Sequence, residues 1–158
     1  MARIDESEFF HKAMMITKAM FPGVFIYLVF AGFAEVLEWN IFLYLSPDYV
    51  KQTGFVFVAL SVISFPVSRE IEKHAAKNAE TGDGLLKRLY YATLINLGIG
   101  EISAFFGIII YLMSGDIRYF FLFFNICLLH IILNRPTYDK WKKYMRDRFT
   151  SLPEEDDE

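Results

Sequence analysis

From Leu89 to Ser114 the chain is apolar for longer than a bilayer is thick, and it carries one ionisable acid, Glu101. About 20 helical residues cross the hydrocarbon layer. Lipid supplies no partner for unpaired backbone groups, so a stretch of this kind has to be helical. No basic side chain lies within ten residues of Glu101 on either side. A charged group at the bilayer centre costs roughly 3 kcal/mol on insertion scales. Glu101 is therefore expected to be neutral, paired, or turned toward a wet cavity.

The rest of the chain repeats this block pattern. Of its 158 residues 54% are hydrophobic and 18% aromatic, and the mean hydropathy is +0.31. The charges gather at the ends and in one central loop, a pattern of membrane spans rather than of a soluble core. The sequence predicts an all-α polytopic membrane protein with four transmembrane helices in two hairpins and cytoplasmic helical extensions. Segment 1–20 is read as a cytoplasmic lead and 21–134 as the transmembrane domain. Its spans are placed at about 21–45, 53–67, 89–114 and 117–134, with a cytoplasmic loop over 68–88. Pro22 sits near the start of the first span, where proline is tolerated. Pro66 closes the short second span, which runs into a polar, helical cytoplasmic segment over 68–80, and a basic interfacial helix is expected over 135–150. The acidic tail 151–158 reads as disordered.

Orientation follows from the cationic loops. Arg69, Lys73, Lys77, Lys87 and Arg88 fill the central loop, and six Lys and Arg residues follow the last span before the tail. The two opposite turns carry only Lys51 and Arg118. Both termini are thus expected in the cytoplasm, in the inner membrane of a bacterium or archaeon. A repeat is also visible: each half has a glutamate-bearing span (Glu35, Glu101), a turn with Asp48 or Asp116, and a second span ending at Pro66 or Pro136. With an even number of spans per half, such a repeat is parallel rather than inverted.

Composition narrows the chemistry. Cys127 is the only cysteine, so one chain can build neither a disulfide nor a thiolate metal site. No nucleophile elbow, phosphate loop, haem ligand pair or metal-ligand set is legible, so the expectation is no enzyme, no cofactor and no metal. The negative balance comes largely from the tail and gives no reason to expect nucleic acid. His130 reads as a helix-packing histidine. Glu38, one turn from Glu35, with Trp39 and Asn40, could form an acidic mouth or lie wet at the outer interface.

Around Glu101 the candidate ion-binding groups are Glu101, Ser103, Asn125 and Glu35, with Asn125 near mid-depth of the fourth span. Gly98, Gly100, Ala104 and Gly107 form a smooth strip suited to close helix approach. Trp141, Lys142, Lys143 and Arg146 on the last helix suit a membrane interface with anionic lipid.

Glu101, Ala104, Phe106, Gly107 and the run Ile108-Ile109-Ile110 locally resemble the ion-carrying helix of rotary ATPase c subunits, the proteolipids. The likeness covers about twenty residues. It implies a proton or sodium ion held at Glu101. Proteolipids place the carboxylate on the second helix of a hairpin, whereas Glu101 is on the first, and Ile102 stands where sodium-binding members often carry a hydroxyl. A wider likeness is to small uncharacterised four-span bacterial membrane proteins with a Glu-x-x-Ala-x-x-Gly third span and a Pro-x-x-x-x-Trp exit, here Pro136 to Trp141.

Two functional expectations follow. The first is a small integral accessory or scaffold subunit of a larger membrane complex, its partners being the bilayer and other subunits or a second copy. The second is a proton- or cation-handling, proteolipid-like protein using Glu101 as its intramembrane ion site.

Overall fold

The structure, a computed structural model, describes residues 6–37 and 42–149. Five helices follow one another: α1 (Glu6–Val36), α2 (Pro47–Lys77), α3 (Gly82–Ser114), α4 (Ile117–Asn134) and α5 (Tyr138–Phe149). The first four are long and apolar enough to cross a membrane, which bears out the all-α polytopic reading. Glu38, Trp39 and Asn40, read as an acidic mouth, and the acidic tail lie outside the described residues.

The helix ends follow from local chemistry. Pro47 opens α2 at a position where its missing donor costs nothing, and Asp48 in the first turn complements the helix dipole. Thr81 caps α3 by accepting from the Gly84 backbone N–H at 3.1 Å. Asp116 caps α4, accepting from Arg118 N–H at 3.0 Å. The Arg118 guanidinium also bonds both Asp116 oxygens, holding that carboxyl below the usual range. Gly115 ends α3 with φ +71°, a left-handed conformation that glycine adopts without steric cost, and returns its N–H to Tyr111 O at 2.8 Å.

Five boundaries differ from the sequence reading: α2 begins at Pro47 rather than near 53 and α3 at Gly82 rather than near 89, and three more have a reason in their surroundings. First, α1 starts at Glu6 rather than near Phe21, so Pro22 lies well inside it. The lead segment is helical because Phe9, Phe10 and Ala13 share a face that packs on α3 and α5. Second, Phe42–Leu45, assigned to the first span, is not helical. Leu43 N–H donates to Leu112 O at 2.8 Å and Leu45 N–H to Met113 O at 2.9 Å, occupying carbonyls that the end of α3 leaves unpaired. Tyr44 takes a positive φ of 44° in this segment, and its ring covers Gly115. Third, α2 runs through Pro66 to Lys77 without a break. Proline removes one ladder bond but does not end a membrane helix whose surroundings hold it in place.

The packing centres on α3, which touches all four other helices, most extensively α4. Gly100, Ala104 and Gly107 share one face of α3, turned to α4. α1 and α2 flank this α3–α4 pair, each lying on α3 and, less closely, on α4. The main core is Val24, Ala31 and Ala34 of α1, Leu97, Ala104 and Tyr111 of α3, and Phe120, Phe124, Cys127 and Ile131 of α4. A second cluster, with Leu85, Leu86, Leu89 and Trp141, ties α5 to the ends of α1, α2 and α3.

Candidate intramembrane site

Glu101 is half-buried on α3, on the side facing α1, while its neighbour Gly100 faces α4. The Tyr27 hydroxyl of α1 donates to Glu101 Oε1 at 2.9 Å. Ten residues further along α3, the buried Tyr111 donates from its hydroxyl to Glu35 Oε2 of α1 at 2.8 Å. α1 and α3 are parallel, and each gives one tyrosine and receives one at its glutamate. On α1 the two bonds lie about 12 Å apart at 1.5 Å of rise per residue. They join the same two helices at two depths with their polarity reversed.

The structure therefore divides the group of expected ligands. Glu35 and Glu101 sit at separate stations, each with a tyrosine. Asn125 is exposed on α4 and donates from Nδ2 to the Phe121 carbonyl of its own helix at 2.7 Å, so it does not complete a site with Glu101. Ser103 is buried, two residues from Glu101 and thus turned to a different side of α3. Tyr27 was missed in the sequence because a tyrosine in an apolar run reads as bulk. The parallel placement of α1 beside α3 is what makes it a partner.

Gly98 needs the same correction. Read as part of the packing strip, it is exposed, and a Cβ there would meet nothing within 4 Å. A helix rotates about 100° per residue, so position 98 faces away from 100, 104 and 107. The other three pack as expected. A Cβ on Gly100 would lie 2.8 Å from His130 Cδ2, and one on Gly107 2.9 Å from Phe123 Cβ.

A second polar cluster lies beneath α4. His130 is fully buried, with Nδ1 3.3 Å from Ser64 Oγ and Nε2 3.1 Å from Ser68 Oγ. Ser64 already donates its only hydroxyl proton to Ser61 O at 2.6 Å, so at Nδ1 it accepts. The two ring nitrogens thus bridge two hydroxyls one helical turn apart on α2. Asn96 donates to Ser68 O at 3.1 Å, whereas its Oδ1 and Ser61 Oγ are buried without a partner. His130 thus takes the packing role expected of it, but its serine partners were missed. Their signal was present: Ser61, Ser64, Ser68 and Glu72 recur at helical spacing along one face of α2. Glu72 closes that stripe, buried and ion-paired with Lys140 of α5.

At the α5 end, Trp141 is buried, with Phe10 of α1 edge-on at 5.5 Å, rather than standing at the lipid interface. Its own helix explains this: Lys142, Lys143 and Arg146 take the exposed face and leave Trp141 to the inner one. Burial, with Glu72 and Glu70 nearby, pushes the Tyr144 phenol up. Among the described residues no group of three or more His, Cys, Asp or Glu side chains could hold a metal ion.

No protein-family model, curated protein or solved structure matches this chain.

Proposed function

We propose that the chain is a small integral membrane accessory or scaffold subunit, with Glu101 as a polar lock between its helices. The observation that carries this reading is the reciprocal pair of tyrosine–glutamate bonds joining α1 to α3. Each carboxylate has an internal donor, and the expected ligand Asn125 is turned away. The face offered to a partner is the outer side of α3, where Ile102 and Phe105 are about half exposed beside the open Gly98. These three positions follow the four-and-three spacing of a heptad seam, with a small residue where a second helix approaches closely. By its cationic loops the protein sits in a cytoplasmic membrane with both ends inside.

Substitutions at two positions test the reading. Glu101→Gln keeps an acceptor for Tyr27, so the protein should fold and co-purify with the same partner, while Glu101→Leu should lose about 1 kcal/mol of stability. Gly98→Leu meets open space within the chain and should leave its melting within about 0.5 kcal/mol of wild type. The same change should reduce recovery of the partner after purification in mild detergent, read by mass spectrometry. If Gly98→Leu retains every partner, the outer face of α3 is a lipid surface and the scaffold reading fails.

The alternative is a proton- or cation-handling, proteolipid-like protein with its ion at Glu101. One observation favours it: the carboxylate is only half-buried, and Tyr27 engages one of its two oxygens. In that case Glu101→Gln abolishes proton or sodium flux in liposomes while folding survives.

A further inference from the structure

Between α2 and α3, at the end of the bundle that carries α5, lies an open groove of about 960 Å³. Its floor is apolar: Pro66, Val67 and Ile71 from α2 face Tyr91 and Ile95 from α3. Its outer end is cationic, with Lys73 and Lys77 on one wall and Arg88 on the other. The two helices are antiparallel here, as the bond from Asn96 to Ser68 O shows, so apolar residues gather at one end of the groove and cations at the other. From Pro66 to Lys77 the groove spans about 16 Å of helical rise. That length takes it from the hydrocarbon layer through the headgroup region.

We propose that this groove holds one anionic phospholipid, its acyl chains along the apolar floor and its phosphate between Lys77 and Arg88. The charge pattern selects the occupant. Lys73 is paired with Glu70 at 2.6 Å. Among the described residues no carboxylate forms an ion pair with Lys77 or Arg88. Two cations facing each other across an apolar trough at headgroup depth match one phosphate on two hydrocarbon chains, whereas a zwitterionic lipid brings its own cation into the same space. Arg88 supplies a planar fork for the phosphate oxygens and Lys77 a mobile point charge. The groove shares no residue with the smaller one of about 380 Å³ on α5, where Lys142 and Arg146 border Phe10, Leu86, Trp141 and Phe149 and no second helix among the lining residues brings a cation to face them.

The test is native mass spectrometry of the full chain in mild detergent. It is titrated in turn with phosphatidylglycerol, with phosphatidylcholine of the same acyl chains, and with inorganic phosphate. One phosphatidylglycerol should be retained at least about tenfold more tightly than phosphatidylcholine, and inorganic phosphate should not be retained. The double variant Lys77→Gln/Arg88→Gln should remove that preference, and Lys142→Gln/Lys143→Gln on α5 should preserve it. Ile95→Trp, which fills the floor from an exposed position, should weaken both lipids. Equal retention of the two lipids by wild type, a preference that survives Lys77→Gln/Arg88→Gln, or capture of inorganic phosphate as tightly as the lipid overturns the proposal.

Discussion

Replacing Gly107 by Val should destabilise the protein by about 3 kcal/mol, at the upper end of what overpacking costs. A single Cβ at this position already lies 2.9 Å from Phe123 Cβ, 3.2 Å from Phe120 O and 3.4 Å from Phe120 Cα. Two of those three atoms belong to the α4 backbone, so no rotamer change relieves the contact and the helices have to separate. Gly100 differs, because its nearest neighbours are atoms of the His130 side chain. Gly107→Ala should fall between, since a helix gains about 1 kcal/mol when alanine replaces glycine, and that gain offsets part of the clash. Unfolding in mixed micelles of increasing denaturing detergent, with Gly98→Leu as the control for added bulk, gives the comparison. A Val variant as stable as wild type would mean that α3 and α4 stand further apart in the bilayer than the structure places them.

The legibility of this fold divides along the same physical line. Lipid forces an apolar block to be helical whatever it packs against, so α4 was read at both its observed ends and α3 at its last residue, with Asp116 and Gly115 marking them. The start of α3 at the Thr81 cap lies seven residues before the expected one. Where the boundary is decided by a partner in space, the sequence misleads. The polar lead before Phe21 is helical because α5 and α3 receive its apolar face. Phe42–Leu45 leaves the helix because the carbonyls of α3 need donors. Pro66 was read as the end of the second span with a helical polar segment after it, and the two are one helix because the neighbouring helices hold the proline in place. Glu101 was legible as a residue requiring a partner, but the choice among Ser103, Asn125 and Tyr27 depends on which helices are neighbours. The serine stripe of α2 was readable from spacing alone and was passed over because serine is common in membrane helices.

His130→Ala is the second large effect, a loss of about 2–4 kcal/mol from removing a fully buried ring. Two features of its surroundings decide where in that range it falls. The cavity would be lined by Ser64 and Ser68 on one side and by the Phe65 ring on another, so water can enter it with two hydroxyl partners in place, and the loss is smaller than for a wholly apolar void. Ser68 is left without its ring partner, yet a helical serine can turn its hydroxyl to the carbonyl four residues back, so it is not orphaned. Both features place the value nearer 2 than 4 kcal/mol. His130→Gln offers the two serines both a donor and an acceptor, and should lose about half as much. His130→Leu fills volume without either bond, and its branched end meets Gly100, where the flat imidazole edge alone fits. It should therefore be no better than Ala. A double-mutant cycle of His130→Gln with Ser68→Ala isolates the hydrogen bond, whose coupling should lie near 0.6 kcal/mol, the average for such bonds in membranes. If Leu restores full stability, the ring acts through volume alone, and its two serine partners have no energetic weight.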